Sequence, residues 1–123
     1  MNPDIATRKD IEKVVDLFYQ KVSSDAVIGF FFTEVTPVNW EQHLPVMYTF
    51  WENVLFYTGE YEGNPIATHR RIHEQYATRP EHFQRWIALL DDSVNQYFAG
   101  PNAEKMKQHA RAIAMVMMQK IAF

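Results

Sequence analysis

Apolar positions recur at the helical period along most of the chain. Ile11, Val14, Val15, Phe18 and Val22 make one stripe, with Tyr19 at its edge, and Thr7-Arg8-Lys9-Asp10 ahead of it reads as a capping box with Asp in place of Glu. A short apolar run over residues 26–32, with Gly29 at its middle, predicts a turn or short helix tucked against the core. Thr36-Pro37 supplies an N-cap and a first-turn proline for a helix over 37–59, with Gly59 at its end. Pro45 falls inside that span and predicts a kink or a late start.

Asn64-Pro65 repeats the cap-plus-proline signal for a short helix reaching about Tyr76. Thr78-Arg79-Pro80-Glu81 opens another that stops at Gly100, and its face is sharply defined. Phe83, Trp86, Ile87, Leu90, Val94, Tyr97 and Phe98 fall within about 60° of Phe83 at 100° per residue. After Gly100-Pro101 a last helix puts Ala103, Met106, Ala110, Ile113, Met117 and Ile121 on one side. Nothing alternates as a strand does, and short connections between long helices predict an all-α chain of antiparallel neighbours in a bundle or a globin-like packing.

The chain's 123 residues, 47% of them apolar, suit one domain spanning 1–123. Twelve basic and fifteen acidic residues leave a net charge of −3, too weak a field to draw the chain to nucleic acid or an anionic membrane. The absence of cysteine excludes disulfides, thiolate metal sites and cysteine nucleophiles. Charges among the first ten residues stand where a signal peptide has an apolar run, so a cytoplasmic protein is expected. Aromatic content changes the picture most. Nine Phe, six Tyr and three Trp are many rings for so small an interior, which suggests that they surround something besides one another.

Candidate chemistry sits on four of the predicted helices. His43, Met47, Phe50 and Val54 lie within about 40° of one another, so a histidine heads an otherwise apolar face. Such a histidine is either a hydrogen-bonded core or edge residue, or a polar group reaching into an apolar ligand pocket. On the short helix, Ile66, His69, Ile72, His73 and Tyr76 form one stripe centred on His69. His69 and His73 at i and i+4 have the spacing of a two-histidine metal site, without the Glu of the metalloprotease motif or any cysteine partner. A single inward histidine equally suits axial ligation of iron, which needs a neutral imidazole with its other nitrogen held. Tyr19 and Trp86 each carry a donor that needs a partner when buried; a stacked core pair with polar tips at the surface is the simpler alternative. Asp91-Asp92 reads as a solvated helix face.

These landmarks, taken in order, resemble a known family. Phe18-Tyr19, Ile28-Gly29 with Phe32, Trp40-Glu41-Gln42-His43, Phe50-Trp51, Tyr61-Glu62-Gly63-Asn64-Pro65, His69, and His82-Phe83-Gln84-Arg85-Trp86 look like the third group of truncated haemoglobins. The resemblance runs from about Ile11 to the C-terminus. It implies a two-over-two helical sandwich around a b-type haem (iron protoporphyrin IX). Tyr19, His43 and Trp86 match the distal ligand-binding residues, and Phe18, Phe32, Met47, Phe50 and Trp51 fall in the haem pocket. His69, four residues after Pro65, matches the proximal iron ligand, with His73 as second candidate when counting back from His82-Phe83-Trp86.

The implied function is binding of O2, NO or CO at one iron, in a monomer or weak dimer. NO dioxygenation or peroxide chemistry would be the turnover, and would need an external reductase. Arg70, Arg71 and Arg79 are candidate partners of the haem propionates because they lie near the short helix. The competing classes are a haem-free helical interaction module with an aromatic core and a two-histidine metal-binding bundle.

Overall fold

The computed structural model describes residues 2–30, 40–57 and 80–117. Within them the chain forms four helices: α1 (Arg8–Ser23), α2 (Trp40–Phe56), α3 (Pro80–Tyr97) and α4 (Pro101–Met117). Among the described residues there is no strand, and no helix is long and apolar enough to cross a membrane. α1 packs on α2 and α3, and α4 packs on α3 and α2. Each helix therefore touches two others, and the four close a ring around one core.

The start of α1 forms as the sequence predicts. Thr7 Oγ1 accepts from the Asp10 amide at 3.3 Å, and Asp10 Oδ2 accepts from the amides of Thr7 (3.1 Å) and Ala6 (2.8 Å). Both halves of the capping box are present, which satisfies donors the first turn would leave orphaned. The buried stripe is the predicted one: Ile11, Val14, Val15, Phe18 and Val22 are all at most 2% exposed. After α1 the chain turns, and Gly29 and Phe30 are again helical; the rest of the predicted run to residue 32 lies outside the described residues.

Asp25 fastens that turn. Its Oδ2 accepts from the amides of Val27 (2.9 Å) and Ile28 (3.1 Å), while Oδ1 receives Arg85 of α3 through Nε at 2.8 Å and Nη2 at 2.7 Å. The Arg85 hydrogen bond, helped by those amides, holds the Asp25 carboxyl below its usual range despite burial. Arg85 immediately precedes Trp86, so this link also fixes where Trp86 emerges from α3.

α2 runs through Pro45. The predicted cap at Thr36-Pro37 and the predicted end at Gly59 lie outside the described residues. On the side towards α1, Arg8 reaches Glu52 Oε1 at 3.1 Å and Thr49 Oγ1 at 3.4 Å, and the Tyr48 hydroxyl donates to Asp16. Burial first, then that hydrogen bond to Asp16, pushes the Tyr48 phenol well above its ordinary value.

Two features of the fold depart from the sequence reading. Residues 2–5 pack across the corner between α3 and α4. Asp4 accepts from the amides of Asn102 (3.0 Å) and Ala103 (2.9 Å), Pro3 carbonyl accepts from Ala99 N (2.9 Å), and Ile5 is 1% exposed. Burial raises the Asp4 pKa, but the backbone N–H bonds outweigh it and leave the carboxyl below its usual range. Gly100 makes the close approach possible: its φ is +139°, and a Cβ there would stand 2.7 Å from Asp4 Cβ and Cγ. The second departure is Asp91, which is not simply solvated. It accepts from Arg111 of α4 at 2.6 Å, while its Oδ1 is buried with no partner among the described residues.

Candidate functional site

α2 carries two apolar faces, and only one is given wholly to the core. Trp51 and Leu55 are buried at 4% exposure each, and Leu44 and Tyr48 flank them on the same side. The face read from the sequence, His43, Met47, Phe50 and Val54, is rotated by about 100° from that stripe and remains partly buried. Its apolar members pack against the margin of the core without being enclosed by it. Tyr19, Trp86 and Ile87 are partly buried in the same way.

The three candidate distal residues come from three helices. Tyr19 stands on the penultimate turn of α1, His43 on the first turn of α2 and Trp86 on the second turn of α3. The Tyr19 and His43 rings meet edge-on, with centroids 5.5 Å apart at 81°. Phe18 is edge-on to both Tyr19 (4.9 Å, 62°) and Trp86 (5.6 Å, 83°), and so joins the tyrosine to the indole. Burial pushes the His43 pKa down. A neutral imidazole is thus favoured near neutral pH, with one nitrogen donating and the other accepting.

Trp40 was missed as a site residue. Its ring lies 5.0 Å from Tyr19 and 5.9 Å from His43, which completes a triangle of mutually touching rings. The signal was present, because residues three apart share a helix face and Trp40 stands three before His43. His109 of α4 was also missed. It packs against Trp51 (5.9 Å, 77°) and Phe50 (6.1 Å, 58°), and burial first, then the Lys105 charge, lowers its pKa. Trp51 thus faces α4, with Phe50 5.0 Å away on the same helix. Phe32, His69, His73, Arg70, Arg71 and Arg79 lie outside the described residues. Among the described residues no group of three or more His, Cys, Asp or Glu side chains is arranged to hold a metal ion.

No family model matches the chain. A curated protein, the group 3 truncated haemoglobin ctb of Campylobacter jejuni, is similar to it, with 26% identity over 117 residues that cover 93% of this chain and 90% of that protein. The crystal structure of a group III truncated haemoglobin from Campylobacter jejuni superposes with a TM-score of 0.83 at 24% identity, covering 98% of this chain and 95% of the other. The architecture is therefore the truncated globin fold, and the resemblance read from the sequence landmarks is borne out.

Proposed function

We propose that the chain is a single truncated globin domain holding one b-type haem, and that it binds O2, NO or CO at the iron. The observation that carries this is the meeting of Tyr19 and His43 on a partly buried apolar wall, with Trp86 joined to them through Phe18. The residues present fit such a group. The wall of Met47, Phe50, Val54, Trp86 and Ile87 is apolar and incompletely buried, which leaves surface for a flat apolar partner, and burial favours the neutral form of His43 beside it. When bound, haem would supply an iron able to take a diatomic ligand and to be held by an imidazole.

In this reading His69, or His73 as second candidate, would hold the iron as its proximal ligand. Met47 and Phe50, with Phe32, supply the wall, while Phe18 and Trp51 back it from the core through their contacts with Tyr19, Trp86 and Phe50. Tyr19 would offer its hydroxyl, and Trp86 its indole N–H, as donors to a ligand that carries partial negative charge, and neutral His43 would offer a further one. Such donors cost little reorganisation when the ligand arrives, because Phe18 already braces two of the three rings. Ligand release is then slow, which favours chemistry on the ligand, such as NO dioxygenation or peroxide consumption, or tight sensing over simple oxygen delivery. Turnover draws its electrons from a separate reductase.

The direct test is haem content. The purified chain, reconstituted with haem, is expected to show a Soret band and one haem per chain by the pyridine-haem assay. A chain that takes up no haem would sink this reading and return the aromatic faces to a plain helical interaction module. The distal roles have their own test. Tyr19→Phe removes a hydrogen bond made only after the ligand arrives, so O2 dissociation should speed up while association changes little. A loss of ~1–2 kcal/mol corresponds to roughly five- to thirtyfold in the off-rate. Trp86→Phe should act in the same direction; unchanged stopped-flow dissociation in both variants would remove Tyr19 and Trp86 from the distal role.

A further inference from the structure

Resting on the haem reading above, we infer that Trp40 is a positioning residue of the ligand pocket: its indole braces Tyr19 and His43 from the side where α2 begins and narrows ligand access there. Four ring contacts carry this. Tyr19 is held between two rings, Phe18 with its centroid at 4.9 Å and Trp40 at 5.0 Å. His43 touches both Tyr19 (5.5 Å) and Trp40 (5.9 Å). The three rings therefore restrain one another, and none can turn far without displacing a neighbour.

The backbone makes the brace effective. Trp40 and His43 stand on one face of the same helical turn, and helical side chains lean towards the N-terminus. Trp40 consequently stands one turn N-terminal to His43 and in contact with its ring, where the indole limits a swing of His43 towards the start of α2. An indole there obstructs that swing and covers the margin of the site between α1 and α2. Neither role requires Trp40 to donate a hydrogen bond to the ligand. Tyr19 and His43 supply the polarity, and Trp40 limits where they can point.

The test combines Trp40→Ala and Trp40→Phe in the haem-loaded full chain with a measurement that does not need haem. CO association reports access, because CO gains little from distal donors, and O2 dissociation reports how well Tyr19 is aimed. Trp40→Ala is expected to raise both rates by roughly twofold to tenfold, the scale of one lost aromatic pair, and Trp40→Phe to restore most of the difference. In protein carrying fluorotyrosine, the Tyr19 signal, assigned by its disappearance in Tyr19→Phe, should shift in Trp40→Ala with or without haem. A lower melting temperature with both rates unchanged would make Trp40 a packing residue and overturn the inference. A chain that binds no haem would overturn the pocket reading and this inference with it, whereas normal haem uptake with an unmoved fluorotyrosine signal would overturn the inference alone.

Discussion

His69→Gly is expected to abolish the five-coordinate ferrous spectrum and the iron–histidine stretching band, and added imidazole to restore both by occupying the space left by the side chain. Coordination by one nitrogen is all or none, so complete loss is expected. The proposal rests on sequence placement: His69 follows Pro65 by four residues and centres the inward stripe of the helix that Asn64-Pro65 predicts. His73 is the competitor, and four residues of helix correspond to about 6 Å along the axis. Both histidines cannot set a nitrogen on one iron from the same register. His73→Gly should therefore leave the stretching band in place and alter packing or ring orientation instead. The reverse pattern would move the proximal role by one turn, and a band surviving both substitutions would reject both histidines.

The parts of this molecule that were legible in the sequence are those decided by local chemistry. The capping box at Thr7 and Asp10 needs four residues and one turn of backbone, and it forms as read. The stripes of α1 and α3 were legible because each has a single dominant apolar side, and Val14, Phe18, Leu90 and Val94 on them are fully or almost fully buried. α2 was harder for a physical reason. It is apolar on two sides, so a wheel centred on His43 finds the partly buried face, while Trp51 and Leu55 define the one that enters the core. Trp40 escaped notice as a site residue because it stands about 60° from His43 on the wheel, outside the arc of Met47, Phe50 and Val54, and the wheel could not show that Tyr19 of α1 approaches the same turn.

Distant contacts left no mark in the periodicity. Asp4 caps a helix that begins 97 residues later at Pro101, and nothing around Asp4 in the sequence announces a partner there. Asp91 followed the ordinary rule for an acidic pair on a helix surface, and Arg111 changed its role from 20 residues away. The same limit applies to the site. Periodicity placed Tyr19, His43 and Trp86 on inward or marginal faces of three separate helices. Only the packing of α1 on α2 and on α3 joins those faces into one cluster.

Removing haem is expected to lower the stability of the chain by about 4 kcal/mol relative to protein in free haem at ~1,000 times its dissociation constant, since a ligand bound only by the folded state stabilises it by RT ln(1 + [L]/Kd). For a domain of this size each kcal/mol moves the melting temperature by roughly 3–5 °C, so the holo- and apo-proteins should melt about 12–20 °C apart. The structure indicates where the effect arises. Met47, Phe50, Val54, Trp86 and Ile87 are partly buried against the core rather than enclosed by it, and an apolar cofactor against that face would remove further surface from water at about 25 cal/mol per Å². α1 with its capping box and the α3–α4 corner pinned by Asp4 do not depend on that face, so the apo-chain should keep most of its helical signal and lose mainly the fixed packing around Trp86. Thermal melts followed by far-UV and near-UV circular dichroism, with and without haem, measure both parts. Equal melting temperatures in saturating haem would mean that nothing is buried against that face, and the partly exposed aromatic wall would need another occupant.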